Sequence, residues 1–257
     1  MAHFILSTVS FPDHFSQQAS NYARYRPVYP AKLYEYLASL TAQHDRVWDV
    51  GTGNGQAAMG LARHFRSIIA TDPSGPQIAL AQLHERVTYR VATAEHSSLE
   101  DQSIDLITVA MAVHWFDLDR FYAEVRRVLK PSGILAAWGY SFAEITPEVD
   151  AVIQSYYYDV LGQFWPPQLR WVEEHYQTLP FPFEEITTPE FAIETTWSLA
   201  DLFGFLSSWS AAQKYTAAHG VDPLDEKRAD FTAAWGAVAD RVARWPLYLR
   251  VGKSATS

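Results

Sequence analysis

Arg46-Val47-Trp48-Asp49-Val50-Gly51-Thr52-Gly53-Asn54-Gly55 decides the fold. The first five residues are a short apolar run, the pattern of a buried strand, and three glycines at alternate positions end it in a turn. Residues 56–65 then carry Ala57, Leu61, Ala62 and Phe65 at helical spacing. The alternation continues downstream. Strands are expected at 67–71, closed by Asp72-Pro73, and at 87–92, 104–110 and 134–138. Helices are expected at 76–83 and 117–129, the latter stopped by Lys130-Pro131-Ser132-Gly133. Strand–helix repetition of this kind predicts a parallel sheet covered on both faces.

The flanks read differently. Helices are expected at 12–21 and 30–41, on either side of Arg26-Pro27-Val28-Tyr29-Pro30. Residues 146–179 read as helical and aromatic, 183–197 as strand-like, and 199–209 and 223–244 as helical. Residues 248–251 are expected to form a last strand, inserted antiparallel beside strand five. The expectation is an α/β, doubly wound, seven-stranded and mostly parallel sheet in a single domain, 1–257. Within it, residues 1–45 are N-terminal lid helices, 46–140 the core, and 141–257 substrate-covering helices and last strands.

Composition narrows the function. The chain has 257 residues, 20 Lys+Arg against 29 Asp+Glu, and a net charge of −9, which disfavours nucleic acid as a partner. Residues 141–257 hold 16 acids and 8 bases, so a nucleic-acid reader there would face a negative field. Cysteine is absent, which excludes disulfides, thiolate metal sites and cysteine nucleophiles. No apolar stretch reaches the roughly 18 residues of a membrane span, and residues 1–6 lack the basic start of a secretory signal. The location expected is cytoplasmic, with no membrane partner.

Three further segments lie where ligands of open α/β sheets bind, at the carboxyl ends of the strands. Asp72 ends the second strand, where a carboxylate can accept both hydroxyls of a ribose; Asp72-Pro73-Ser74 equally suits a helix start. Thr93-Ala94-Glu95 follows the third strand and could hydrogen-bond an adenine edge, or be simply solvated. Ala110-Met111-Ala112-Val113-His114-Trp115-Phe116-Asp117 leaves the fourth. There His114 is read as a base or substrate-orienting group at the crevice mouth, against the alternative of a packed histidine. The glycine loop departs from the dinucleotide fingerprint because Gln56 stands at its sixth position.

Taken in order, Asp49 to Gly55, Asp72, Ala94-Glu95, the strand-four segment and residues 128–133 resemble class I S-adenosylmethionine (SAM)-dependent methyltransferases with their Rossmann-like fold. The likeness covers about residues 20–140. Within that superfamily, Tyr22-Ala23-Arg24-Tyr25-Arg26-Pro27 and His114-Trp115-Phe116-Asp117 are similar to the trans-aconitate methyltransferase-like branch, which methylates small acids and other small molecules. The resemblance implies SAM as cofactor, S-adenosylhomocysteine (SAH) as product and no metal. It implies that Asp49, Gly51, Thr52 and Gly53 bind the cofactor, with Gly51 and Gly53 flanking its methionine part, that Asp72 holds the ribose, that Pro73 packs near the adenine, and that Ala94 and Glu95 face it. Ala110 and Met111 would line the crevice, and Arg26 with Tyr22 would close over the cofactor. Thr52 and Asn54 replace residues often small or acidic in relatives. Trp115, Tyr140 and Trp165 are the candidate substrate contacts, with core filling as the other reading of the aromatic segment. The acceptor expected is a small molecule, carboxylic acids included, and the protein a monomer or homodimer.

Two rival functions use the same residues. A catalytically silent SAM-binding partner subunit would keep the loop and Asp72 without turnover. A nucleotide-cofactor oxidoreductase would share the sheet but prefers glycine at 56. Asp117-Leu118-Asp119 reads as an acidic helix start rather than a metal site.

Overall fold

A computed structural model describes residues 27–253. The expected helix at 12–21 therefore lies outside the described residues. Eight strands form one sheet: β1 (Arg46–Val50), β2 (Ser67–Asp72), β3 (Val87–Val91), β4 (Ile104–Ala110), β5 (Leu129–Gly139), β6 (Glu184–Ile186), β7 (Phe191–Ser198) and β8 (Asp240–Lys253). The order is β3-β2-β1-β4-β5-β8-β6, with β7 also on β8. The five core strands are parallel, and β8 runs antiparallel to β5 with Ala137 opposite Arg250.

Side chains alternate through the sheet as the strand period requires. Val47, Ile68, Leu106 and Ile134 face one core, while Trp48, Ile69, Ile107 and Leu135 face the other. The first face is covered by α1 (Ala31–Ser39) and α2 (Gln56–Leu61), whose Leu33, Leu37 and Leu61 are fully buried. A short α3 (Gly75–Ala79) follows β2. The second face is covered by α4 (Leu118–Val128), through Phe121, Val125 and Val128. Asp117 caps α4 by accepting the Arg120 N–H at 3.3 Å, so its acidic start is a helix cap.

Three expectations change in the C-terminal third. The segment 146–179 is not one helix. It breaks into α5 (Pro147–Ser155), a π-helical turn (Tyr156–Val160), two 3-10 turns and α6 (Arg170–Glu173). Gly162, Pro166 and Pro167 interrupt it, because proline supplies no N–H to a continuing helix. The strand-like run at 183–197 becomes two strands separated at Pro189, which brings the sheet to eight strands instead of seven. After α7 (Leu199–Ser207), α8 (Ser210–His219) and α9 (Arg228–Trp235), the chain turns at Gly236 with φ +70°. Residues 240–244, expected as helix, are the first half of β8. Ala243 and Trp245 are buried and Val242 is exposed, a period of two, and pairing with β7 from Ser198 to Phe191 overrides local helix preference. The second half of β8 is the expected last strand beside β5.

The aromatic segment is mostly core. Trp209 stacks against Tyr156 at 6.0 Å, and Trp197 meets Trp245 edge-on at 4.6 Å.

Candidate functional site

The glycine loop leaves β1 with Gly51, Gly53 and Gly55 all at positive φ, a region that costs other residues energy. Thr52 N–H donates to Thr71 O (3.0 Å) and Gly55 N–H to Thr52 O (2.9 Å), which fixes the turn against β2. Beneath it lies Asp49, only 1% exposed, accepting the hydroxyls of Thr52 (2.6 Å) and Thr108 (2.7 Å). Burial pushes its carboxyl up to about 6 against those hydrogen bonds. Asp49 is thus an anchor under the loop and not part of the cavity lining, which differs from the expectation of direct cofactor contact.

Asp72 joins the loop to the next strand end. Its Oδ2 accepts Gly53 N–H at 2.9 Å and its Oδ1 accepts Ser74 N–H at 2.8 Å. The helix cap itself is Ser74, whose hydroxyl accepts Gln77 N–H, so Asp72 belongs to the loop rather than to α3. An added Cβ at Gly53 would meet nothing within 4 Å, so the backbone there opens directly onto a cavity. That cavity measures about 880 Å³ and lies at the carboxyl ends of the core strands. Gly51, Thr52, Gly53, Asp72, Pro73, Ala94, Glu95, Ala110, Met111, Trp115 and Tyr140, all named from sequence, line it together. An acidic side chain beside a glycine backbone that a ligand can approach closely, in a cavity of this size, fits a nucleoside with a charged tail.

One wall, at Met111, and a support behind the lining, at Tyr89, are built by contacts the sequence could not show. Met111 has φ +53°, donates its N–H to Trp138 O (2.9 Å), and accepts Tyr140 N–H on its sulfur (3.2 Å). This ties the exits of β4 and β5. Tyr89 on the edge strand packs its ring against Gly55 and donates to Gln82 O at 3.0 Å. Tyr29 and Tyr34 also line the cavity. They lie in the expected second helix and its approach, but no local motif marked them.

Three candidates fall elsewhere. Tyr22 and Arg26 lie outside the described residues. Trp165 is not brought to the cavity: its ring stacks on Tyr157 at 4.5 Å and its Nε1 donates to Tyr157 O. His114 does not face the crevice either. It is 2% exposed, its Nδ1 is 2.9 Å from the Tyr176 hydroxyl, and it is absent from the cavity lining. Apolar burial holds its imidazole down at about 3, so it is neutral at physiological pH. The short 3-10 turn at Val113–Trp115 rotates His114 inward while Trp115 takes the cavity side.

A pH effect follows from that burial. The unfolded chain protonates this histidine near 6.5, the native chain only near 3. Between those values the unfolded state binds the extra proton, so stability falls by about 1.4 kcal/mol per pH unit as acidity rises. Urea unfolding of wild type and His114→Gln should show their stability difference shifting by roughly 2 kcal/mol in favour of the variant between pH 7 and pH 5. An unchanged difference would mean that the imidazole titrates normally.

The sheet order and the cavity at its carboxyl edge define a Rossmann-like α/β protein of the cofactor-binding kind. Residues 48–137 match the methyltransferase-domain family. A Dictyostelium discoideum protein named as a methyltransferase is 35% identical over 226 residues, covering 86% of each chain. A solved structure from Anaeromyxobacter dehalogenans, described as a type II methyltransferase, is 42% identical with a TM-score of 0.82, covering 89% of this chain and 97% of that one. A Bacillus halodurans structure at 20% identity and a TM-score of 0.52 shares the fold alone. This chain belongs to the class I SAM-dependent methyltransferase family. No helix among the described residues is long and apolar enough to cross a membrane.

Proposed function

We propose that the protein binds SAM in the cavity at the Gly51 loop and transfers its methyl group to a small-molecule acceptor. The observation that carries this reading is the convergence of Gly53, Asp72 and Glu95 on one cavity. The bound cofactor would supply a methyl group already activated on a sulfonium. Asp72 would accept the ribose hydroxyls with the lone pairs its two backbone bonds leave, while Gly51 and Gly53 would let the loop backbone approach closely. Pro73, Ala94 and Glu95 would border the adenine. Ala110 and Met111 would line the methionine side, and Arg26 with Tyr22 would cover it, as the family resemblance suggests.

Positioning and water exclusion would then supply most of the rate. Trp115 and Tyr140 would wall the acceptor side, and the fragment 141–257 would form its cover within one functional unit. A carboxylate acceptor would need no base, which suits a site whose expected base, His114, is sealed away. Likeness to the trans-aconitate branch supports small acids as the first acceptors to try.

Calorimetry with SAH tests the cofactor half, and an SAH-release screen over carboxylic acids, phenols and amines tests the transfer. SAH binding without turnover on any acceptor would instead favour the silent-subunit reading.

A further inference from the structure

The nucleoside reading leaves part of the cavity lining unused, here called its outer arm. One side of this arm is the end of α2 and the residues after it, with Met59, Arg63 and His64; the other is the segment after α3, with Leu80, Gln82 and His84. The two sides are pinned together. Arg86 Nη1 donates to Ala62 O at 3.3 Å, Arg86 N–H donates to His84 Nδ1 at 3.1 Å, and Tyr89 holds Gln82 through its carbonyl. The first of these bonds crosses between the two sides, and the other two, through the His84 ring and the Tyr89 hydroxyl, hold the second side in place.

One of its cations lacks a carboxylate partner among the described residues. Neighbouring guanidiniums are matched with carboxylates: Arg46 with Glu100, Arg66 with Asp45, Arg86 with Glu85. Arg63 has no such partner among the described residues. The carboxylates that line the cavity, Asp72 and Glu95, already accept backbone N–H groups on the nucleoside side. A helix C-terminus favours cations and would account for Arg63 and His64 being basic. It does not account for His84, which reaches the same arm from a separate segment. Beside these donors Leu80 is 54% exposed and Met59 lines the floor, so the arm pairs an apolar strip with a cationic end.

We propose that this outer arm is a second ligand site, for a small molecule carrying a phosphate or carboxylate group on an apolar body. The guanidinium of Arg63 presents a planar fork suited to either anion. The imidazoles of His64 and His84 supply further N–H donors, and the apolar body lies along Met59 and Leu80. The site does not depend on the cofactor reading, because Arg63, His64 and His84 are none of the residues which that reading assigns.

The test is calorimetric titration of the full chain with hexyl phosphate, hexanoate and hexanol, with and without SAH. Saturable binding of one or both anions is expected, with hexanol at least about tenfold weaker. Arg63→Ala should weaken the anion by at least about tenfold, while Lys214→Ala, outside the cavity lining, serves as an unaffected control. The melting temperature of Arg63→Ala should stay close to wild type, since the side chain is exposed and has no ion pair among the described residues. Whichever head group binds more tightly identifies the anion. No saturable anion binding, equal binding by Arg63→Ala, equal binding of hexanol, or displacement of the anion by SAH would each overturn the proposal. Failure of SAH to bind at all would count against the cofactor reading and leave this result to stand on its own.

Discussion

Asp72→Ala is expected to weaken SAH binding by at least about tenfold and toward 100-fold, because each charge-assisted bond to a ribose hydroxyl contributes roughly 1.5–3 kcal/mol. The same carboxylate also accepts the N–H groups of Gly53 and Ser74, so its removal loosens the loop that the cofactor would rest on. Asp72→Asn separates the two effects. An amide retains one acceptor oxygen and should fall between wild type and alanine. Calorimetry on folded variants, checked by circular dichroism, decides the matter. Undiminished affinity in Asp72→Ala would remove the ribose assignment.

The second large effect is Gly51→Ala. A Cβ there would stand 2.6 Å from the Ala112 Cβ and 3.3 Å from the Phe116 Cζ. Ala112 cannot swing aside, because its Cβ is fixed to the backbone. The residue also holds φ +65°, which costs a non-glycine residue about 1–2 kcal/mol, and overpacking adds about 1–3 kcal/mol. Urea unfolding should therefore show a loss of about 2–5 kcal/mol. Gly53→Ala makes the contrast. Its Cβ meets nothing, so it should lose only about 1–2 kcal/mol of stability from its φ of +57° while losing SAH affinity, the new methyl projecting into the cavity. Equal destabilisation of the two variants would show that the backbone carrying Ala112 shifts to relieve the clash.

His114 shows the limit of reading such a site from local sequence. Its neighbours in Ala112-Val113-His114-Trp115 place it at the end of β4, and that much is legible. Which of His114 and Trp115 enters the cavity depends on a three-residue turn and on Tyr176, a partner 62 positions along the chain. Trp165 failed for a related reason. Composition marked an aromatic segment, but the stacking on Tyr157 depends on where the Pro166-Pro167 turn and the π-helical turn fall.

By itself the sequence determined the parallel core. Apolar runs of strand length, helical spacing between them, and glycines where the chain must take positive φ are local properties, and each was enough to place β1 to β5 and the loop with Asp72. It also determined the antiparallel strand beside β5. Tertiary structure alone decided the rest. Pairing with β7 turned residues 240–244 from helix into strand. Burial made Asp49 an anchor rather than a contact. Tyr89, Tyr34, Arg63 and His84 reached one cavity from separate elements or formed its support. Those outcomes are set by long-range contacts, whose energies depend on distances between residues far apart in the chain, and no local pattern encodes them.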